Sequence, residues 1–153
     1  MDTFNQFFEK VGAYIVRQLD GEPQILLYSR RYDPDAPLQI TSGGIRSEET
    51  PEQALWRELK EETGFALLPV IRKIGVTESP WLVRSITRHW YLLDGSALPD
   101  SWVHTVTGEG ADQGERYHYS WYRVDEQPDV AGDLGQLLNP ESVPELYPAQ
   151  RAA

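Results

Sequence analysis

The stretch GGIRSEETPEQALWRELKEETGF, residues 43–65, is where the reading of this chain begins. Thr50 has the hydroxyl of an N-cap, Pro51 suits the first helical position, and Gln53 stands three residues after the cap, where its side chain can return a hydrogen bond to the cap's backbone. Gly64 sits where a C-terminal stop belongs. Both ends of one strong helix are therefore signalled. At about 100° per residue, Leu55, Trp56, Leu59 and Thr63 fall on one side and Glu58, Glu61 and Glu62 on another. Ala54, one turn back from the carboxylates, leaves the acidic stripe sterically open.

Local stability would not choose that stripe. Like charges three and four residues apart repel by a few tenths of a kcal/mol per pair, and the helix dipole disfavours anions near the carboxyl end. A divalent cation reverses the sign, because clustered carboxylates are good oxygen ligands for Mg2+ or Mn2+ when a phosphate fills the remaining positions. On an arbitrary acidic helix the ordinary reading is a solvated face with Arg57 and Lys60 interspersed. Here the preceding loop decides otherwise.

Gly43, five residues, Glu49, seven residues, then Arg57-Glu58-Leu59-Lys60-Glu61-Glu62-Thr63-Gly64-Phe65 resembles the Nudix box, Gly-x5-Glu-x7-Arg-Glu-U-x-Glu-Glu-x-Gly-U with U a bulky apolar residue, at every specified position. The resemblance implies an α/β (α+β) fold of Nudix type, an α/β/α sandwich with a mixed β-sheet. It implies a pyrophosphohydrolase that uses Mg2+ or Mn2+ on a nucleoside diphosphate linked to another group. It also implies that Glu58, Glu61, Glu62 and the Gly43 carbonyl are metal ligands, and that Arg57 pairs with Glu49 to hold the loop against the helix. The general base is either Glu58, the residue favoured here, or a carboxylate from a loop. Ser42, Arg46 and Glu48 depart from common versions of the loop at unspecified positions, and Arg46 brings a cation near the phosphate site.

Outward from the box, VGAYIVRQ and QILLYSRR flank Asp20-Gly21 and read as a hairpin. The segment RYDPDAPLQITSGG reads as a loop with a short extended piece at Leu38 to Ile40. ALLPVIRKIGV and WLVRSITRHWYLL read as β-segments divided by a turn at TESP; SWVHTV and RYHYSWYRV read as two more, divided by GEGADQG. DVAGDLGQLLN reads as a weak helix, its two internal glycines costing about 1 kcal/mol each against alanine. An irregular tail begins near residue 140. The chain is expected to be one domain over 1–153.

The charge narrows the classes of partner. With 14 basic against 24 acidic residues, net −10, a broad basic face for duplex nucleic acid is not expected. The excess has two sources: six glutamates against two bases over 48–62, and nine acids against three arginines over 109–153. The absence of cysteine excludes thiolate metal sites and cysteine nucleophiles. No signal-peptide pattern opens the sequence and no stretch approaches the roughly 20 apolar residues of a membrane span, so a cytoplasmic location is expected.

Outside the box, Arg30 and Arg31 follow the second strand and can reach a polyphosphate, as can Arg46; solvated arginines at a hairpin end are the equally weighted reading of the first two. Glu109, Asp112 and Glu115 lie in or beside a glycine-rich loop that can carry a base to the metal site, although a flexible acidic turn is the ordinary reading of each. His89, His104 and His118 lack zinc-helix spacing, and the tryptophans are expected mainly in the core. Pro80, 15 residues beyond Phe65, resembles the proline of ADP-ribose-type Nudix hydrolases, whereas the tyrosine of the diadenosine polyphosphate enzymes is missing between Trp81 and Ile86. The expected function is thus Mg2+-dependent hydrolysis of a small nucleotide-derived diphosphate, with ADP-ribose or a nucleotide sugar favoured over a nucleoside triphosphate. The rival is a non-catalytic nucleotide-sensing or regulatory module, and the resemblance admits a homodimer.

Overall fold

Asp20 and Gly21 both take positive φ, 52° and 80°, which is the backbone that reverses a twisted hairpin tightly. They join β1 (Glu9–Leu19) to β2 (Glu22–Ser29) in the computed structural model, which describes residues 3–30 and 35–148. A short helix α1 (Thr3–Phe8) precedes them, and β3 (Thr41–Gly44), α2 (Pro51–Thr63), β4 (Val70–Trp81), β5 (Arg84–Asp94), β6 (Ser101–Thr105) and β7 (Arg116–Tyr122) follow. The seven strands make one mixed sheet, six of them in the order β4-β5-β1-β2-β7-β6 and β3 off that path, paired with β1. β1 runs parallel to β5 on one side, and β3 and β2 share its other edge, β3 pairing with Lys10–Ala13 and β2 with Val16–Leu19.

Strand alternation divides the core in two. Val11, Ala13, Ile15, Leu26, Tyr91 and Leu93 face α2 and meet Ala54, Leu55 and Leu59. Tyr14, Val16, Ile25, Leu27, Trp90 and Leu92 face the other way, under the C-terminal segment. Both caps of α2 match the sequence reading: Thr50 Oγ1 accepts from Gln53 N at 3.1 Å, Gln53 Oε1 accepts from Thr50 N at 2.9 Å, and Gly64 at φ 89° donates to Lys60 O. Ala54 behaves differently from expectation. It is fully buried in the core, and the acidic stripe faces β3 and its loop, with Glu62 only 3% exposed.

Three further segments depart from the sequence reading, each for a physical reason. TESP is strand and not turn: β4 runs through it to Trp81, and the reversal falls at Leu82 (φ 54°) and Val83. Pro80 is tolerated because β4 is an edge strand, where a missing N–H need leave no ladder bond unmade. The weak helix over 129–139 is replaced by a 3-10 turn at Gly132–Gly135. Here Tyr14 substitutes for helical bonding, its hydroxyl donating to Leu134 O at 2.7 Å and accepting from Leu137 N at 3.2 Å.

The segment after 140 is irregular but packed. Val143 and Leu146 are fully buried in the second core, and Arg72 holds the segment down through both oxygens of Glu145 (3.0 and 2.9 Å) and Ser142 O (2.7 Å). Among the described residues no helix is long and apolar enough to cross a membrane. Leu146→Ala should cost about 3 kcal/mol, the range for a large aliphatic truncated in a packed core. Urea denaturation measures this, and a loss below about 0.5 kcal/mol, typical of a surface site, would show that the segment is not part of the core.

Candidate active site

The site is assembled by one guanidinium. Arg57, on α2, donates from Nε to Glu49 Oε2 (2.6 Å) and from Nη2 to Glu49 Oε1 (2.8 Å), a bidentate pair. Nη2 also reaches Gly44 O at the end of β3 (2.8 Å), while Nη1 donates to Glu58 Oε1 (2.9 Å) and Glu61 Oε1 (3.4 Å). Glu49 in turn accepts from Arg46 N at 2.9 Å. Hydrogen bonding to Arg57 holds the Glu49 carboxyl below the usual carboxylate range.

The remaining carboxyls lie deeper. A Cβ on Gly43 would overlap the Glu58 carboxyl, so the absence of a side chain there lets helix and strand meet. Glu62 is fully enclosed beneath; burial first, and then the neighbouring Glu58 charge, push its pKa well up, and the two carboxyls hydrogen-bond to each other. Ser42 N points at Glu62 Oε1 from 3.4 Å. Glu61 is half-buried, and burial raises it too. Gly108, at φ 94°, lies so close over Glu61 that a Cβ would overlap it, and Thr107 N and His104 Nε2 both lie 3.1 Å from its backbone carbonyl.

The glycine-rich loop thus meets α2, and its three acids separate. Asp112 is within electrostatic reach of Glu61 and Glu62 and accepts from Tyr117 Oη at 2.8 Å. Glu115 is half-buried, its charge acting on Arg30, and Glu109 is exposed. Arg46 is close enough for its charge to favour ionised Glu61. Arg30 lies over the Tyr117 ring at 5.9 Å; Arg31 lies outside the described residues.

The sequence reading assigned no specific part to Tyr119, whose hydroxyl donates to Glu62 O at 3.0 Å, or to Tyr117. The alternation in RYHYSWY, with Tyr117 and Tyr119 on the inward face, is the signal that finds both. His89 sits elsewhere, 3.4 Å from Lys73 Nζ, and His118 lies within β7.

Among the described residues no three acidic or imidazole groups stand ready as a metal cage. The donor chemistry nevertheless suits a hard divalent cation. Oxygen donors predominate, burial favours the neutral form of Glu62, Arg57 offsets the charge of Glu58 and Glu61, and the Gly43 cradle keeps the Glu58 carboxyl against the backbone.

Comparison with known proteins agrees with this fold. The NUDIX domain model matches residues 8–139. The RNA pyrophosphohydrolase of Stutzerimonas stutzeri (strain A1501) is 34% identical over 113 residues, 63% of this chain and 69% of that protein. That of Hydrogenovibrio crunogenus is 42% identical over 79 residues, covering 52% of this chain and 44% of its own length. The NUDIX domain of Shewanella oneidensis NrtR complexed with ADP ribose superposes with a TM-score of 0.63 at 19% identity, over 90% of this chain and 86% of that one. A C. elegans Ap4A hydrolase binary complex gives 0.63 at 18%, over 95% and 98%; at such identities both show a shared fold. The chain belongs to the Nudix family of pyrophosphohydrolases, whose members generally use divalent metal ions.

Glu49→Gln removes the charge from the clamp and should cost about 2 kcal/mol at neutral pH, the scale of a hydrogen bond to a charged group. Because the folded-state pKa of Glu49 lies below its ordinary 4.5, the stabilisation is present above that value and is lost as pH falls through the lower one. Denaturation of both proteins at pH 7 and pH 3 should show the gap between them closing at the acid end. An equal gap at both would remove the ion pair as its source.

Proposed function

We propose that this chain hydrolyses the P–O–P linkage of a nucleoside diphosphate joined to a second group, with Mg2+ or Mn2+ bound by Glu58, Glu61, Glu62 and the Gly43 carbonyl. The observation that carries the reading is the Arg57 clamp, which ties Glu49, Glu58 and Glu61 to one point beside the buried Glu62. A divalent cation supplies charge neutralisation for the diphosphate and acidifies water. The chain supplies the rest. Arg57 orients the carboxylates, Arg46 adds positive charge at the rim, and Glu58 or Asp112 takes the proton from the attacking water. The water oxygen bonds to phosphorus as the bridging P–O bond breaks, which releases a nucleoside monophosphate and the phosphorylated second group.

ADP-ribose and nucleotide sugars are the favoured substrates. A 5′-polyphosphate RNA end is a second reading, supported by the relatives named RNA pyrophosphohydrolase. The net charge of −10 favours recognition of the end alone over a tracked RNA backbone.

A panel of ADP-ribose, UDP-sugars, Ap4A, nucleoside triphosphates and 5′-triphosphorylated RNA, assayed with Mg2+ and with Mn2+, should give turnover that EDTA abolishes. Glu58→Gln should lower kcat about 10²- to 10⁴-fold, the range for loss of a catalytic acid or base. Near-normal turnover in that variant at saturating metal would move the base to Asp112. Turnover that survives both chelation and Glu61→Gln would overturn the metal reading.

A further inference from the structure

The sheet face opposite α2 is built from Tyr14, Trp90, Leu92 and their aliphatic neighbours, and one polar patch interrupts it. Arg88 precedes Trp90 by two positions in β5 and so shares its face. It is 7% exposed, and its Nε and Nη1 have no hydrogen-bond partner among the described residues. A guanidinium taken out of water without acceptors is strongly unfavourable, so an arginine in this state points to a missing ligand.

The surroundings are built for an anion. Lys10 stands beside Arg88 in the parallel register of β1 and β5, so two cations share this part of the face. Thr77 stands opposite in β4, its Oγ1 accepting from Trp90 Nε1 at 2.8 Å, and Ser79, two residues on, lies 3.5 Å from Gln136 Oε1. Asp133 is the acid whose charge reaches Arg88. Gly12 lets the Arg88 stem and the Trp90 ring pack against the backbone: a Cβ there would sit 3.0 Å from Arg88 Cδ and 3.0 Å from the Trp90 ring. The charges of Arg88 and of Glu58 both act on Lys10.

We propose that Arg88 and Lys10 form a subsite for a phosphate-type anion on the face of the sheet opposite α2, apart from the carboxylate cluster. The subsite does not rest on the pyrophosphohydrolase reading. Arg88 supplies unused N–H donors at Nε and Nη1, and Lys10 supplies a point charge. Thr77, Ser79 and Gln136 surround the anion with groups that can donate hydrogen bonds.

Inorganic pyrophosphate is titrated calorimetrically into the full chain in EDTA, so that no metal bridges the anion to the carboxylates. Wild type should bind, Arg88→Met and Lys10→Met should bind at least tenfold more weakly, and Arg88→Lys should recover part of the loss. Arg88→Met should melt no lower than wild type, because an apolar side chain of similar length relieves the burial of the charge. With the substrate found in the panel, Arg88→Met should leave both KM and kcat within about threefold, because the subsite lies apart from the carboxylates. Wild type that ignores millimolar pyrophosphate, or an Arg88→Met protein that melts lower and binds as wild type does, overturns the subsite and leaves the hydrolase reading standing. Pyrophosphate binding that depends on Arg88 in a chain with no turnover on any substrate upholds the subsite and overturns the hydrolase reading.

Discussion

One guanidinium holds the working end of this molecule together. Arg57 joins the end of β3, through Gly44 O, to the loop, through Glu49, and to two carboxylates of its own helix. Glu49 is followed at once by Thr50, the N-cap of α2, so the clamp and the capping box fix consecutive residues. A lysine could not replace it, because a point charge cannot span both oxygens of Glu49 while also reaching the Gly44 carbonyl and Glu58. The like charges that make α2 locally unfavourable become, around that fork, the reason the loop between β3 and α2 has one conformation.

The same accounting changes the meaning of the net charge. A formal −10 overstates the negative potential at the site, where Glu62 is held toward its neutral form and Arg57 offsets its neighbours. The acidic residues beyond 109 have separate employment. Glu145 ties the C-terminal segment to Arg72, Asp112 takes the Tyr117 hydroxyl, Asp133 faces Arg88, and Asp125 pairs with Arg123 at the surface. Charge that looks like one acidic region along the chain is distributed by the fold over both faces of the sheet.

What was legible in the chain is what short-range chemistry determines. Thr50, Pro51, Gln53 and Gly64 bound α2 without help from the rest of the protein, and Asp20-Gly21 does the same for the first hairpin. TESP misleads because a proline reads as a turn unless the strand is known to lie at an edge, which is a property of the sheet. The segment over 129–139 misleads because its backbone bonds go to Tyr14, more than 100 residues away, a partner no local pattern reveals. Ala54 misleads in a third way: the acidic stripe and the apolar stripe of α2 are both turned inward, so openness could not be inferred from side-chain size alone. Of the candidate site, the pairing of Arg57 with Glu49 was legible from the box, while Tyr117 and Tyr119 needed the knowledge of which strand face is covered.

β1 connects these pieces, because one edge positions Gly43 for the carboxylate cluster and the face away from α2 carries Lys10 beside Arg88. Its edge residue Val11 pairs with Gly43, which places that glycine under the Glu58 carboxyl, and Ser42 Oγ donates to Val11 O at 2.9 Å. Its outward alternation puts Lys10 and Gly12 on the face away from α2, beside Arg88 and Trp90. The carboxylate cluster and the cation pair are therefore fixed by one central strand, hydrogen-bonded along both edges, and the separation between them is set by backbone and not by loops.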